Sequence, residues 1–242
     1  MLVYQKKAKD RIRKELPKMR RLVERSLEGN YSEADTRLVV AKIIDDMLGW
    51  CKFEHLTGEQ SIRGGYADFI LQKDGNQLAV IEVKAVNIKL NERHLRQACN
   101  YAFGEGIEFV ILTNGNSWRI YHITFVRNGP PQVCEVFRVR LTDKDMKPSD
   151  KVELLYYLSE EAYRKRELRE YCSRNIALSG QSLAKHILDK QVLDKIRLGV
   201  RRVSGHAVTN EEVALALISD LLCEDALPNN LDAIMKRVRS GK

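Results

Sequence analysis

The sequence predicts a mixed α/β protein: a β-sheet flanked by helices, followed by an all-helical C-terminal extension. Three observations carry that expectation. Residues 66–72 and 77–84 alternate apolar and polar side chains on either side of the polar turn Lys73-Asp-Gly-Asn76, the pattern of a hairpin. A helical period over about 91–104 separates the second of these strands from another apolar run at 108–113, which is the spacing of a β-α-β crossover and hence of a mixed sheet. After a polar stretch at 143–150 containing Pro148, the period turns helical and stays so.

Taken in order, residues 5–28 place apolar side chains at 8, 12, 16, 19, 23 and 27, the spacing of a helix that Pro17 is expected to kink or divide. Gly29-Asn30 ends it. Ser32 then reads as an N-cap, with Asp35 at the capping-box position. The helix it opens runs to about Leu48, with Ala34, Leu38, Ala41, Ile44 and Leu48 on one face. Strands are expected near 51–56, 60–63, 66–72 and 77–84. Arg63-Gly-Gly65 allows a bulge or a close backbone approach, and equally a plain turn. Asn91 caps the helix over 91–104, whose core side holds Leu95, Cys99, Ala102 and Phe103. Strands near 108–113, 117–126 and 133–141 complete the sheet. Thr113-Asn-Gly-Asn116 forms a tight hairpin turn, and Trp118 is assigned to the core. Helices follow at roughly 150–158, 160–175, 180–198, 209–224 and 230–239. One apolar stripe is Leu154, Leu155, Leu158 and Ala162; another is Val213, Leu217, Leu221 and Leu222.

Bulk properties narrow the function. The chain has 242 residues and is 44% hydrophobic, enough for one ordinary core domain with an appendage. No run of eighteen apolar residues indicates a membrane span, and the charged N-terminus lacks the apolar stretch of a secretory signal. A reducing cytoplasm is expected. The five cysteines form no CxxC pair and are odd in number, which disfavours a disulfide framework or a zinc site. The net charge is +8, and residues 1–30 hold ten Lys/Arg against four acids. Such a segment can bind phosphates without reading bases; a solvated helix face explains it equally well.

The residues with the most chemical content are Asp68 and the run Glu82-Val83-Lys84. Residues i and i+2 of a strand share a face, so Glu82 and Lys84 emerge together. Charges embedded in apolar strands cost free energy unless they are paired or bind a metal. Mg²⁺ takes oxygen ligands and usually one or two carboxylates. Asp68 and Glu82 supply those, and the Val83 carbonyl is a further candidate oxygen. Lys84 suits the orientation of a water or the stabilisation of developing negative charge. A surface ion pair across a hairpin accounts for the same residues without chemistry.

Asp68 followed by Glu82-x-Lys84 resembles the PD-(D/E)xK nuclease superfamily, with Ala67 where that motif usually has Pro. Gln97-Ala-Cys-Asn-Tyr101 resembles the QxxxY motif of its RecB-like branch. Ser32-Glu-Ala-Asp-Thr-Arg37, with Leu48-Gly-Trp50 downstream, is similar to the first helix of that fold, whose Glu assists the metal. Residues 109–115 and 117–121 resemble the following strand pair in the N-terminal nuclease domain of type I restriction enzyme R subunits. The resemblance spans about 31–125. It implies a restriction-endonuclease-like sheet and a metal-dependent DNA nuclease using Mg²⁺, with Mn²⁺ a possible substitute. The implied roles are metal binding for Asp68, Glu82 and Val83, assistance through water for Glu33, and transition-state stabilisation for Lys84. Gln97 and Tyr101 would hold the DNA strand or the lysine.

The expected layout is a basic helical segment at 1–30, a nuclease core at 31–145 and a helical region at 146–242. Expected partners are DNA, restriction-complex subunits and a second copy through the C-terminal helices, with no membrane. R subunits carry a motor after this domain, whereas this chain has no G-x-x-x-x-G-K-[ST] phosphate loop, so no ATP hydrolysis is expected. The alternative is a non-catalytic DNA-binding or structural subunit of the same fold.

Overall fold

Helix α1 (Val3–Glu28) is unbroken, as shown by a computed structural model that describes residues 2–62, 65–126 and 129–240. Arg63 and Gly64, on which the expected bulge or turn rests, lie outside the described residues. Pro17 does not divide α1. Proline removes one backbone hydrogen bond, and the buried stripe Ala8, Ile12, Leu16, Met19 and Val23 runs through both halves and keeps the helix continuous.

The Ser32 cap is as expected: its hydroxyl accepts from the Asp35 N–H at 3.2 Å, and Asp35 accepts back from the Ser32 N–H. Helix α2 (Glu33–Lys42) continues into a π turn over Ile43–Met47. The buried face agrees with the expected one at Ile44 and Leu48 and differs earlier in the helix, where Ala34 and Leu38 are exposed. Thr36, Val39, Val40, Ile43 and Met47 point inward, while Leu38 is 72% exposed. The wide turn admits an extra residue per revolution and rotates the stripe. Residues 52–55, expected in a strand, form the short helix α3 (Lys52–His55). There the alternation of Lys52, Phe53, Glu54 and His55 serves a corner: the Cys51 carbonyl accepts from the Glu54 and His55 N–H groups, and Phe53 is exposed.

The sheet has six strands in chain order: β1 (Leu56–Ile62), β2 (Gly65–Lys73), β3 (Asn76–Val83), β4 (Phe109–Thr113), β5 (Ser117–Thr124) and β6 (Gln132–Arg140). All neighbours are antiparallel except β3 and β4. That parallel pair is joined through helix α4 (Glu92–Glu105), the expected crossover. Asn91 caps α4 by accepting from the Arg93 and His94 N–H groups. The β2–β3 turn places Asp74 and Gly75 at φ 51° and 75°, the left-handed pair of a tight hairpin. Under α4, Ala98, Cys99, Tyr101 and Ala102 pack on Ile70, Val80, Val110 and Leu112. Trp118 is fully buried, as expected. Burial pushes the Cys99 thiol up to about 11, which makes it a core residue and a poor nucleophile. The cysteines are all free thiols.

Of the remaining helices, the first and last match the expected lengths within two residues, while those expected at 160–175, 180–198 and 209–224 are shorter or divided. The helices are α5 (Pro148–Tyr156), α6 (Glu160–Arg164), α7 (Glu167–Ala177), α8 (Gly180–Ile187), α9 (Lys190–Ser204), α10 (Asn210–Ala216) and α11 (Leu231–Ser240). The expected helix at 160–175 breaks where Arg166 turns to φ 60°. The one at 180–198 breaks where Asp189 caps α9 through the Gln191 N–H. Leu155, Leu158 and Ala162 are buried as expected, but Leu221 is 74% exposed because α10 ends in another π turn, Leu217–Leu221. By contacts the chain divides into Met1–Glu170 and Tyr171–Lys242. The second unit has its own core of Leu188, Leu193, Val213, Ala214, Ile234 and Met235. Among the described residues no helix is long and apolar enough to cross a membrane.

Candidate active site

The site forms where β3 runs out of the sheet. The pairing of Phe69 with Ile81 puts Asp68 of β2 beside Glu82 of β3. Asp68 Oδ2 accepts from the Val83 N–H at 2.7 Å, which fixes the carboxylate over the strand end. The next N–H, that of Lys84, donates to the Thr113 carbonyl of β4 at 2.9 Å, so the lysine backbone is still held by the sheet. From there the Lys84 side chain reaches two carboxylates, with Nζ 2.7 Å from Glu82 Oε1 and 3.5 Å from Glu33 Oε2.

Glu33 belongs to the first turn of α2, and Arg37 follows one turn later on the same face. Arg37 Nη2 lies 3.8 Å from Glu33 Oε1, and its Nε lies 3.2 Å from Asp68 Oδ1. Three carboxylates and two cations therefore share one strand end. Arg37 is the member that sequence reasoning missed. Its signal was present, an Arg four residues after a Glu already assigned to the site. His94, in the first turn of α4, is also close enough for Lys84 and Glu33 to act on it. Burial, with Lys84, holds its pKa below the usual histidine value.

Burial dominates the electrostatics. Glu82 is 1% exposed, and its carboxyl is pushed up to about 7 despite the neighbouring ammonium. Asp68 is raised for the same reason, against the opposing pull of the Val83 N–H, Arg37 and Lys84. Burial acts to lower Lys84, but Glu82, Glu33 and Asp68 outweigh it and leave the ammonium above its ordinary value. Although Lys84 is close, neither oxygen of Glu82 receives a well-aligned hydrogen bond among the described residues. A buried carboxylate with two such acceptors has the donor chemistry of a cation ligand. Among the described residues no three His, Cys, Asp or Glu side chains converge on one point. A site here would rest on two carboxylates and a backbone oxygen, a donor set suited to Mg²⁺ and not to zinc.

Of the two expected members on α4, Tyr101 lies elsewhere. Gln97 is exposed on α4 and Tyr101 is buried in the core. Since α4 runs back along the sheet from Lys84, Tyr101 is two turns further from the site than His94. The polar groups acting on its hydroxyl are Glu105 and Gln77, the latter at the opposite end of β3.

The chain is similar to known proteins over part of its length. Residues 55–132 match the family described as type I restriction enzyme R protein N terminus (HSDR_N). The match covers about a third of the chain, from β1 to the first residue of β6. It includes Asp68, Glu82, Lys84, Gln97 and Tyr101 and stops short of Glu33 and Arg37. Comparison with curated proteins and with solved structures gives no match.

Proposed function

We propose that this chain is a Mg²⁺-dependent DNA nuclease related to restriction. The observation that carries the reading is Glu82, a buried carboxylate whose oxygens receive no well-aligned hydrogen bond and whose one close partner is the Lys84 ammonium at 2.7 Å, beside Asp68 at a strand end. The match to a restriction-enzyme domain supports DNA as the substrate. Asp68 and Glu82, with the Val83 carbonyl, would hold the ion, which supplies charge neutralisation at the scissile phosphate and a more acidic water. Lys84 is placed to orient that water or to stabilise developing charge, and Glu33 holds the lysine from the far side. Arg37 balances Asp68.

The test is incubation of the full chain with supercoiled, linear and single-stranded DNA in Mg²⁺, Mn²⁺ or EDTA. Metal-dependent cutting is expected. Absence of cutting on every form, methylated DNA included, would leave the second reading, a non-catalytic DNA-binding or structural subunit of a restriction complex. One observation favours that reading: Arg37 and Lys84 already engage all three carboxylates.

Acidity gives an independent check. Between the ordinary glutamate value of 4.5 and about 7, the folded protein keeps a proton on Glu82 that the unfolded chain has released. Stability therefore falls as pH rises through this window, by about 3 kcal/mol once above it. Glu82→Gln should raise Tm by several degrees at pH 8 and little at pH 5. Adding Mg²⁺ to the native protein at pH 6.5 should release protons, read by calorimetry in buffers of different ionisation enthalpy. A metal-independent heat and an unchanged Tm for the variant would contradict the assigned role of Glu82.

A further inference from the structure

At the other end of β3, a cavity of about 510 Å³ opens between the β2–β3 turn and the α6–α7 junction. Its volume is that of a small-molecule site. Gln77 lines it, and seven residues separate Gln77 from Lys84, roughly 23 Å along a strand, so this cavity is distinct from the carboxylate cluster. Phe109 and Leu168 contribute apolar surface, and Tyr163 contributes an aromatic ring that is held edge-on to Trp50.

Four cations, Lys73, Arg164, Arg166 and Arg169, and one acid, Asp74, line the same space. Three of the cations have carboxylates. Lys73 and Arg164 share Glu160, and Arg169 pairs with Glu108 at 2.6 Å. Arg166 makes no ion pair among the described residues. Its backbone is also left-handed, at φ 60°, which an arginine adopts only at a cost. The junction thus spends conformational energy to set an unpaired guanidinium at the mouth of an aromatic-walled cavity. A guanidinium recognises phosphate through paired donors, and aromatic faces take bases of any sequence.

We infer that this cavity binds a nucleotide unit, with its phosphate on Arg166 and its base against the Tyr163 wall. The unit comes either from a free nucleoside phosphate or from the 5′ end of a nucleic acid strand. The inference goes beyond the nuclease reading and does not depend on it.

Binding to the full chain should be measured by calorimetry in EDTA. The probes are ADP, inorganic phosphate, and single-stranded oligonucleotides with a 5′-phosphate or a 5′-hydroxyl. Saturable binding of ADP identifies the free nucleotide as the source. Binding of the 5′-phosphorylated strand over its hydroxyl form, with ADP weak, identifies the strand end. In either case Arg166→Gly should weaken binding at least tenfold while Tm stays within about 3 °C, since glycine adopts this backbone freely. Asp68→Asn should leave the affinity unchanged, so failure of the nuclease reading and failure of this one are separable. The inference is overturned if no probe saturates or if Arg166→Gly binds like the native protein. It is equally overturned if Asp68→Asn abolishes binding, or if inorganic phosphate binds as tightly as the nucleotides.

Discussion

Asp68→Asn and Glu82→Gln should each lower metal-dependent DNA cleavage by about 10³-fold or more, equivalent to about 4 kcal/mol of transition-state stabilisation. Either change removes a charged oxygen from a cation site while keeping shape. In Asp68→Asn the amide keeps a carbonyl oxygen that can still accept from the Val83 N–H, which in the native protein donates to Asp68 at 2.7 Å, so the strand end is expected to stay closed. Lys84→Met should cost about 10²-fold or more, in line with loss of one preorganised charge-stabilising group. The two carboxylate variants should also bind Mg²⁺ more weakly, whereas Lys84→Met should bind it at least as well, having lost a competing cation 2.7 Å from Glu82. Near-native circular dichroism separates these effects from unfolding. Full cleavage by Asp68→Asn would remove Asp68 from the metal site. Glu82→Gln carries a further signature. A group held at a cost for its chemistry should, when neutralised, give a more stable and less active protein.

The chemistry at the end of β3 was legible because it is local. The alternation of the two strands and the left-handed Asp74-Gly75 turn fix the hairpin, although the turn register, Lys73 with Asn76 and Gln72 with Gln77, would set Asp68 opposite Ile81; a one-residue shift between Leu71 and Gln72, with no simple sequence signal, brings it to Glu82. The crossover was legible for a similar reason, since Asn91 and the apolar period of 92–105 leave only a helix between two parallel strands. What escaped was rotation and approach. The inward face of α2 depends on the π turn over Ile43–Met47, a backbone feature with no simple side-chain signature. Arg37 enters the site only because α2 packs across the sheet end, where Thr36 and Val39 come within 3.5 Å and 3.7 Å of a Cβ built on Gly115. Tyr101 failed to join the cluster because a helix of fourteen residues carries its second half away from the strand end where it began. The break at Arg166 was hidden because its neighbours on both sides are good helix formers.

Arg11→Ala should cost about 1.5–3 kcal/mol of stability at neutral pH, the range for a charge-assisted hydrogen-bonded pair that is only part-buried. Both guanidinium nitrogens of the fork meet Glu161, at 2.6 Å and 2.7 Å, while Nε and Nη2 donate to the Met47 and Leu48 carbonyls. One side chain of α1 therefore ties α6 to the carbonyl end of the π turn, where the Leu48 carbonyl also accepts from the Glu160 N–H at 3.1 Å. Gly49 makes room for it. Its φ is 81°, and a Cβ there would lie 2.4 Å from Arg11 Nη2, so any side chain at 49 would expel the fork. Without Arg11, Glu161, 8% exposed in the native protein, would lose its ion-pair partner and keep only the weaker pull of Lys7. Burial raises the Glu161 carboxyl, but Arg11 outweighs it and holds the carboxyl below the ordinary 4.5. The stabilisation is thus present above pH 4.5 and is lost as pH falls through the lower native value. Denaturant titrations should show a large gap between native and Arg11→Ala protein at pH 7 and a smaller one at pH 3. The double variant Arg11→Ala/Glu161→Ala should lose less than the two single losses combined, because it leaves no buried charge behind. Additive losses, or a gap independent of pH, would mean that Arg11 acts only by capping the π turn. By sequence the ten N-terminal cations suit phosphates and solvent equally; for Arg11 the structure gives a third use, in which the charge serves the fold.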